Sequence, residues 1–145
     1  MSREWDAPST SNSIDVGASP GSWTSFLATR GTGTVLAVDP GDLEPEVLAL
    51  ANVIHSRTLA SPSTVSDIRT SLPPGRPWTA GCLVCDMNNP PSQAISACDA
   101  LTSLLYPGAY LILTLKLSCG KSVDGRAAQE KEAMDAMQKL EVSVS

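Results

Sequence analysis

Short apolar runs that alternate with helical patterns constrain the fold of this chain most strongly. The runs at residues 35–38, 82–85 and 110–115 contain no charged side chain. Continuous apolar runs of this kind are typical of parallel strands that are covered on both faces. Such strands in alternation with helices predict an α/β fold, with a mostly parallel sheet and helices on both faces.

The pattern predicts an alternating series of strands and helices. The predicted strands cover residues 13–16, 34–39, 53–59, 79–86 and 109–116, and the predicted helices cover residues 21–29, 45–51, 61–72, 92–105 and 124–140. Ser61 is predicted to be the N-cap of the third helix. Pro107 and Gly108 are predicted to form a turn before the last of these strands, and residues 141–145 are predicted to begin one more strand.

Length and composition predict one folded domain. The 145 residues suffice for one domain with a core and are too few for two. We expect residues 1–12 to be a polar N-terminal segment and residues 13–145 to be the domain. No apolar run approaches the roughly 20 residues of a membrane span, and the N-terminal segment does not resemble a secretory signal. We therefore expect a cytoplasmic protein without a membrane partner, and a nuclear or organellar location stays open.

The charge of the chain restricts its possible partners. The net charge is −5 and the isoelectric point is about 4.7. Broad, sequence-independent binding to nucleic acid needs a basic surface, so this charge argues against it. A small local basic patch stays compatible with the composition.

Cys82 and Cys85 have the spacing of a redox or zinc motif, but they lie within an apolar run. Positions three apart on a strand point to opposite faces of the sheet. We therefore predict buried strand cysteines and no metal site.

A buried strand that leads through a small-residue turn into a helix is predicted for residues 14–23, Ile-Asp-Val-Gly-Ala-Ser-Pro-Gly-Ser-Trp. Gly17 and Gly21 remove side chains that would block a close approach of the backbone to a ligand. Pro20 suits the first turn of a helix, where its missing N–H costs nothing. The unpaired N–H groups of the helix would then face the turn, which predicts a cofactor site.

Three classes of cofactor use a glycine turn after the first strand. A Walker A loop requires a lysine that this turn lacks, and Gly120-Lys121-Ser122 lacks the first glycine of that motif. The G-x-G-x-x-G pattern of a dinucleotide site fails at residues 17–21, although an NAD-dependent enzyme of the same broad fold stays open. S-adenosylmethionine carries no phosphate, and a helix N-terminus suits the carboxylate of its amino-acid end.

Polar side chains also lie at the ends of later strands. Asp39 ends the second predicted strand, where an acidic side chain can accept both hydroxyls of a ribose, and Asp86 and Lys116 end the fourth and fifth. Ligands of parallel sheets bind at the carboxyl ends of the strands, so we expect these three side chains to surround one cavity. Residues 88–91 form a loop that is a second-rank candidate for guiding a substrate, and for Met87 a wall of the adenine pocket and plain packing both stay open. His55 has no partner motif, and we interpret it as structural.

Residues 15–24 resemble the D-L-G-A-x-P-G-G-W-T/S box of the FtsJ-like ribose 2′-O-methyltransferases. Residues 84–87, Val-Cys-Asp-Met, and residues 113–117, Leu-Thr-Leu-Lys-Leu, are similar to V-C-D-M and N-L-K-L of the RlmM type, which methylates a cytidine ribose in large-subunit ribosomal RNA. The resemblance runs in order from about residue 14 to residue 140. It implies a Rossmann-like methyltransferase fold, S-adenosylmethionine as methyl donor and RNA, ribosomal RNA in the first place, as acceptor.

The resemblance also implies roles for individual residues. The catalytic residues of this family are Lys-Asp-Lys-Glu. Asp86 matches the Asp of this set, and Lys116 matches the second Lys. The implied cofactor-binding residues are Asp15, Gly17, Ala18, Ser19, Pro20, Gly21, Trp23, Asp39 and Asp86. For Trp23, packing in the core and stacking on a base both stay open.

The sequence departs from the family at both ends. The family's first Lys precedes the first strand, where this chain has Arg3 as its one basic residue, and no residue is assigned to the family's Glu. We expect a trimmed methyltransferase core. The alternative to an active enzyme is an inactive relative that binds the cofactor or a partner protein.

Overall fold

The structure is a computed structural model that describes residues 12–31, 33–75, 78–114 and 123–144. The strands within these ranges are β1 (Asn12–Val16), β2 (Val35–Val38), β3 (Val53–Ser56), β4 (Ala80–Cys85) and β5 (Leu105–Leu113). The helices are α1 (Ser22–Arg30), α2 (Pro45–Leu48), α3 (Val65–Thr70), α4 (Pro91–Ala100) and α5 (Val123–Val144), with a 3₁₀ turn at Thr102–Leu104.

The described strands form one sheet in the order β3-β2-β1-β4-β5, and every neighbouring pair is parallel. The central strand β1 places Ile14 between Leu36 of β2 and Leu83 of β4. The predicted parallel α/β fold is therefore confirmed. Because the strand order reverses between β1 and β4, the chain leaves these two strands in opposite directions and opens a crevice at their carboxyl ends.

Apolar side chains cover the sheet on both faces. On one face, Ile14, Leu36 and Leu83 are fully buried against side chains of α3 and α4, such as Ile68 and Cys98. The other face carries a smaller cluster, whose buried members are Ala18, Ala37, Leu43 and Val47. Since both faces are covered there, β2 and β4 are buried at every position, and this is the pattern that made these two strands predictable.

Several predicted elements differ from the observed ones in type or bounds. The third helix begins after Thr64 and not after Ser61, because residues 61–64 form a turn in which the Thr64 hydroxyl bonds to the Leu59 carbonyl at 2.6 Å. The predicted turn at Pro107 and Gly108 lies inside β5, as a bulge with Gly108 at φ 87°. The predicted extra strand at residues 141–145 is wrong, because α5 continues to Val144.

The described cysteines are buried. Cys85 packs beside Cys98 in the core under β4, whereas Cys82 does not belong to that cluster and its pKa is raised to about 11 by burial. Within the described ranges no disulfide joins them and no group of side chains has the arrangement of a metal site. A helix with the length and apolarity of a membrane span is likewise missing from these ranges.

Replacement of Leu83, a fully buried residue of β4, tests how much packing in the core contributes to the free energy of unfolding. Leu83→Ala should lower the free energy of unfolding by about 2–5 kcal/mol, since it leaves a cavity between β1 and β5. Leu48→Ala is the matched control, because Leu48 is 46% exposed on α2. Urea denaturation of both variants measures the difference, and equal losses would contradict the described packing.

Candidate functional site

A cleft of about 500 Å³ opens at the carboxyl ends of β1, β2, β3 and β4. Its described lining comes from the segment after each strand: Val16, Gly17, Ser19 and Pro20; Val38, Asp39 and Pro40; Thr58, Leu59 and Ala60; and Asp86, Met87, Asn88 and Asn89. The volume lies within the range of about 300–1,000 Å³ that is typical of small-molecule sites. The cleft occupies the crevice that the parallel topology predicts.

The glycines of the first turn make room for the protein's own side chains. Gly17 lines the cleft at φ 76°, and a Cβ there would lie 2.5 Å from the Met87 Cγ. Gly21 has φ 124°, and a Cβ there would lie 3.0 Å from a Val47 methyl group. Both positions therefore require glycine for backbone conformation and packing. Gly17 also faces the cleft, whereas Gly21 is not among the described residues that line it.

Asp39 ties the first two loops of the cleft together. One of its carboxylate oxygens accepts the backbone N–H of Ser19 at 3.0 Å, and the other accepts that of Gly41 at 2.6 Å. The Ser19 hydroxyl also donates to the Asp42 carbonyl at 2.6 Å, and the Glu44 N–H donates to the Pro20 carbonyl at 2.8 Å. The turn after β1 and the turn after β2 are thus fixed against each other, with the Asp39 carboxylate between them.

Asp15 lies beneath this cleft and does not line it. Its side chain is 1% exposed, and its carboxylate accepts the Thr24 hydroxyl at 2.7 Å and a backbone hydrogen bond from Thr24 at the start of α1. The pKa of Asp15 is raised to about 6: burial is the largest cause, the charges of Asp86 and Asp39 also raise it, and the Thr24 hydrogen bonds offset part of the rise. Asp15 therefore bonds to donors at the helix N-terminus from inside the protein.

The described lining of the cleft is acidic. Asp39 and Asp86 both contribute to it, and no lysine or arginine is among its described residues. Arg57, on the chain just before Thr58, pairs with the Asp42 carboxylate. A cleft with this charge favours a cationic or neutral ligand over one that carries phosphate groups.

The remaining residues of the family box at residues 15–24 differ in whether they line the cleft. Ser19 and Pro20 line it, and Ala18 is buried in the cluster below α2. Trp23 contacts Phe26 edge to face, with ring centroids 5.8 Å apart, and is outside the described lining. The residue type of Pro20 predicted a place in the first turn of α1. The structure differs, because α1 begins at Ser22 with Gly21 as its N-cap.

Lys116 lies outside the described residues. β5 ends at Leu113, and the N–H of Thr114 donates to the Cys85 carbonyl at 3.0 Å, one residue before Asp86. Of the three side chains predicted to surround one cavity, Asp39 and Asp86 do line the same cleft. The position of Lys116 stays a prediction from sequence.

Residues 58–60 were not singled out from the sequence. They follow β3 and supply one wall of the cleft, where Leu59 is 61% exposed. The sequence interpretation extended the third strand to residue 59, and β3 ends at Ser56. An exposed leucine after a strand is a weak signal, since isolated apolar side chains are common on protein surfaces.

The raised pKa of Asp15 predicts a pH dependence of stability. Between pH 4 and pH 6 the folded protein retains a proton on Asp15 that the unfolded chain loses, so raising the pH over this window lowers the free energy of unfolding. The contribution is on the order of 3 kcal/mol and constant above the window. The free energy of unfolding of Asp15→Asn minus that of wild type should therefore increase by that amount from pH 4 to pH 7.

Urea denaturation at several pH values measures this difference. The control is Asp135→Asn, which removes an exposed carboxylate on α5. Thr24→Val should steepen the wild-type dependence, since it removes a hydrogen bond that favours the ionised carboxylate. A flat difference for Asp15→Asn would contradict the buried position of this carboxylate.

Solved structures with the same fold include proteins described as candidate methyltransferases. A candidate hemolysin of Lactococcus lactis matches with a TM-score of 0.70 at 14% identity, covering 90% of this chain and 65% of that one. A candidate rRNA methylase of Clostridium thermocellum matches with a TM-score of 0.57 at 14% identity, covering 86% of this chain and 70% of that one. A candidate ribosomal RNA methyltransferase of Plasmodium falciparum matches with a TM-score of 0.53 at 13% identity, covering 84% of this chain and 74% of that one.

The chain thus spans less than two thirds of the length of the hemolysin-named protein, and identities this low establish the fold alone. No curated protein sequence matches the chain. The family model of the FtsJ-like methyltransferases, however, matches residues 3–144. Because this match covers nearly the whole sequence, the chain belongs to the FtsJ-like methyltransferase family.

Proposed function

We propose that this protein is an S-adenosylmethionine-dependent methyltransferase that acts on the 2′-hydroxyl of an RNA ribose, in ribosomal RNA in the first place. The observation that carries the proposal is the Asp39 carboxylate, which lies in the cleft and is held by the N–H groups of Ser19 and Gly41. The family to which the chain belongs supports the methyl transfer.

The geometry of Asp39 suits a ribose. Each carboxylate oxygen accepts one backbone N–H, and an ionised carboxylate has about four acceptor sites in all. Each oxygen therefore retains the capacity to accept one hydroxyl of a vicinal diol. Since the carboxylate is already oriented, binding a diol would not require further ordering of this side chain.

The charge of the cleft suits the sulfonium of S-adenosylmethionine. Asp39 and Asp86 line the cleft, and Asp15, with its pKa near 6, is mostly ionised beneath it at pH 7. A positive group between these carboxylates would be stabilised, and a polyphosphate would be repelled. The same charges argue against the NAD-dependent alternative.

The proposed reaction needs a positioned hydroxyl and a base. S-adenosylmethionine supplies an activated methyl group, and the RNA ribose supplies the oxygen. We assign Lys116 as the group that takes the proton of the 2′-hydroxyl, and Asp86 as the group that orients Lys116 or the hydroxyl. Most of the rate should come from holding the acceptor oxygen in line with the methyl group.

Calorimetric titration with S-adenosylmethionine tests cofactor binding. The wild-type protein should bind it, and Asp39→Ala should weaken binding about 10-fold or more, since it removes charge-assisted hydrogen bonds to the ribose. Asp42→Ala is the matched control, because Asp42 lies three residues along the same loop and its carboxylate pairs with Arg57. Absence of binding by the wild type would overturn the proposal.

Labelled methyl donor and large-subunit ribosomal RNA test the reaction. We expect incorporation of label as a 2′-O-methylnucleotide, recognised by the resistance of its 3′ linkage to alkali. Lys116→Ala should abolish incorporation and leave cofactor affinity within about twofold, because the base acts only in the chemical step. Cofactor binding without incorporation into any RNA would favour the inactive relative over the enzyme.

A further inference from the structure

The hydrogen-bond ladder between β2 and β3 changes its partner at Asp39. Val38 is in register with Ser56, and the N–H of Asp39 donates to the Ser56 carbonyl at 3.1 Å. In a regular parallel ladder the next bond would run from the N–H of Thr58 to the Asp39 carbonyl. Instead the N–H of Thr58 turns back to the Ser56 carbonyl at 2.9 Å. β3 therefore leaves the sheet here, and Thr58 begins the cleft wall.

The imidazole of His55 takes the place of the missing ladder bond. Its Nε2 lies 3.0 Å from the Asp39 carbonyl oxygen. A carbonyl can only accept, so this contact requires a proton on Nε2, which then donates. A buried or half-buried carbonyl without a partner is costly, and the half-buried His55 removes that cost while leaving β3 free to turn.

We propose that His55 is a positioning residue of the cofactor site that acts through Asp39. With the His55 bond, every polar group of Asp39 has a partner in the protein: its N–H, its carbonyl and both carboxylate oxygens. His55 holds the backbone of Asp39 from the strand side, and this fixes the direction in which the carboxylate meets Ser19 and Gly41. The assignment rests on the proposed function only for the identity of the group that Asp39 binds, which is a ribose.

Hydrogen exchange in the ligand-free protein tests the positioning by itself. His55→Phe keeps a ring and removes the donor, so the amides of Ser19 and Gly41 should exchange about 3- to 10-fold faster. His55→Gln retains a donor and should restore exchange to within about twofold of wild type. Val53→Ala, two residues earlier on the same face of β3, is the control for loosening of the strand and should leave both amides unchanged. Unchanged exchange in His55→Phe would overturn the proposal.

A double-mutant cycle tests the connection to the ligand, with S-adenosylmethionine as the probe. His55→Phe should weaken binding about 3- to 10-fold in the wild-type background and less than about twofold in the Asp39→Ala background. Equal losses in both backgrounds would show that His55 does not act through Asp39 and would overturn the proposal. A wild type that binds no cofactor would instead overturn the proposed function, while the exchange rates would still decide the role of His55. Thermal denaturation of each variant identifies any that fails to fold.

Discussion

The parallel pairing of β1 with both β2 and β4 is the constraint on which the rest of this structure depends. It places Val16, Val38 and Cys85 at one edge of the sheet in register, so that the segments after three strands must emerge together. The strands are held by ladder hydrogen bonds and by apolar side chains on both faces, which keeps this edge rigid. The segments that line the cleft can then be short, because the sheet has already brought them together.

The cleft combines carboxylates that would be unfavourable together in an apolar interior. Burial in the first place, and then the charges of Asp86 and Asp39, raise the pKa of Asp15, so its ionised form is costly here. Thr24 offsets part of the cost through its hydroxyl, and Asp39 is stabilised by two backbone N–H groups. Strain of this electrostatic kind is common at functional sites, where a ligand of opposite charge relieves it. A sulfonium is such a ligand.

The sequence was sufficient for β2 and β4 because their apolar runs are buried along the whole strand. The apolar run of β5 also predicted a strand, but β5 lies at the edge of the sheet, where Tyr110 and Ile112 are exposed. The sequence was less reliable where local propensity competes with tertiary structure. Ser61 has the side chain of an N-cap, yet the helix starts after Thr64, whose hydroxyl bonds back to Leu59. Residues 141–145 are predicted to begin a strand, yet α5 continues to Val144.

Within the site, the sequence could predict that Asp39 and Asp86 line one cleft, because both follow the carboxyl ends of parallel strands. It could not predict that Gly21 serves packing against Val47, since a glycine pattern does not identify the atom that needs the space. Nor could it predict the partner of His55, because the Nε2 contact depends on a break in a ladder between two strands. Single residues without a motif become interpretable only once their neighbours are known.

The central claim is that one cleft, built around Asp39, receives the methyl donor. The most direct test is to follow backbone amide chemical shifts by NMR while S-adenosylmethionine is added. The account predicts that the largest shifts occur at Gly17, Ser19, Gly41 and Met87, the amides around the cleft. Shifts confined to α3 and α4, which pack against one face of the sheet, or no shifts at saturating donor, would contradict it.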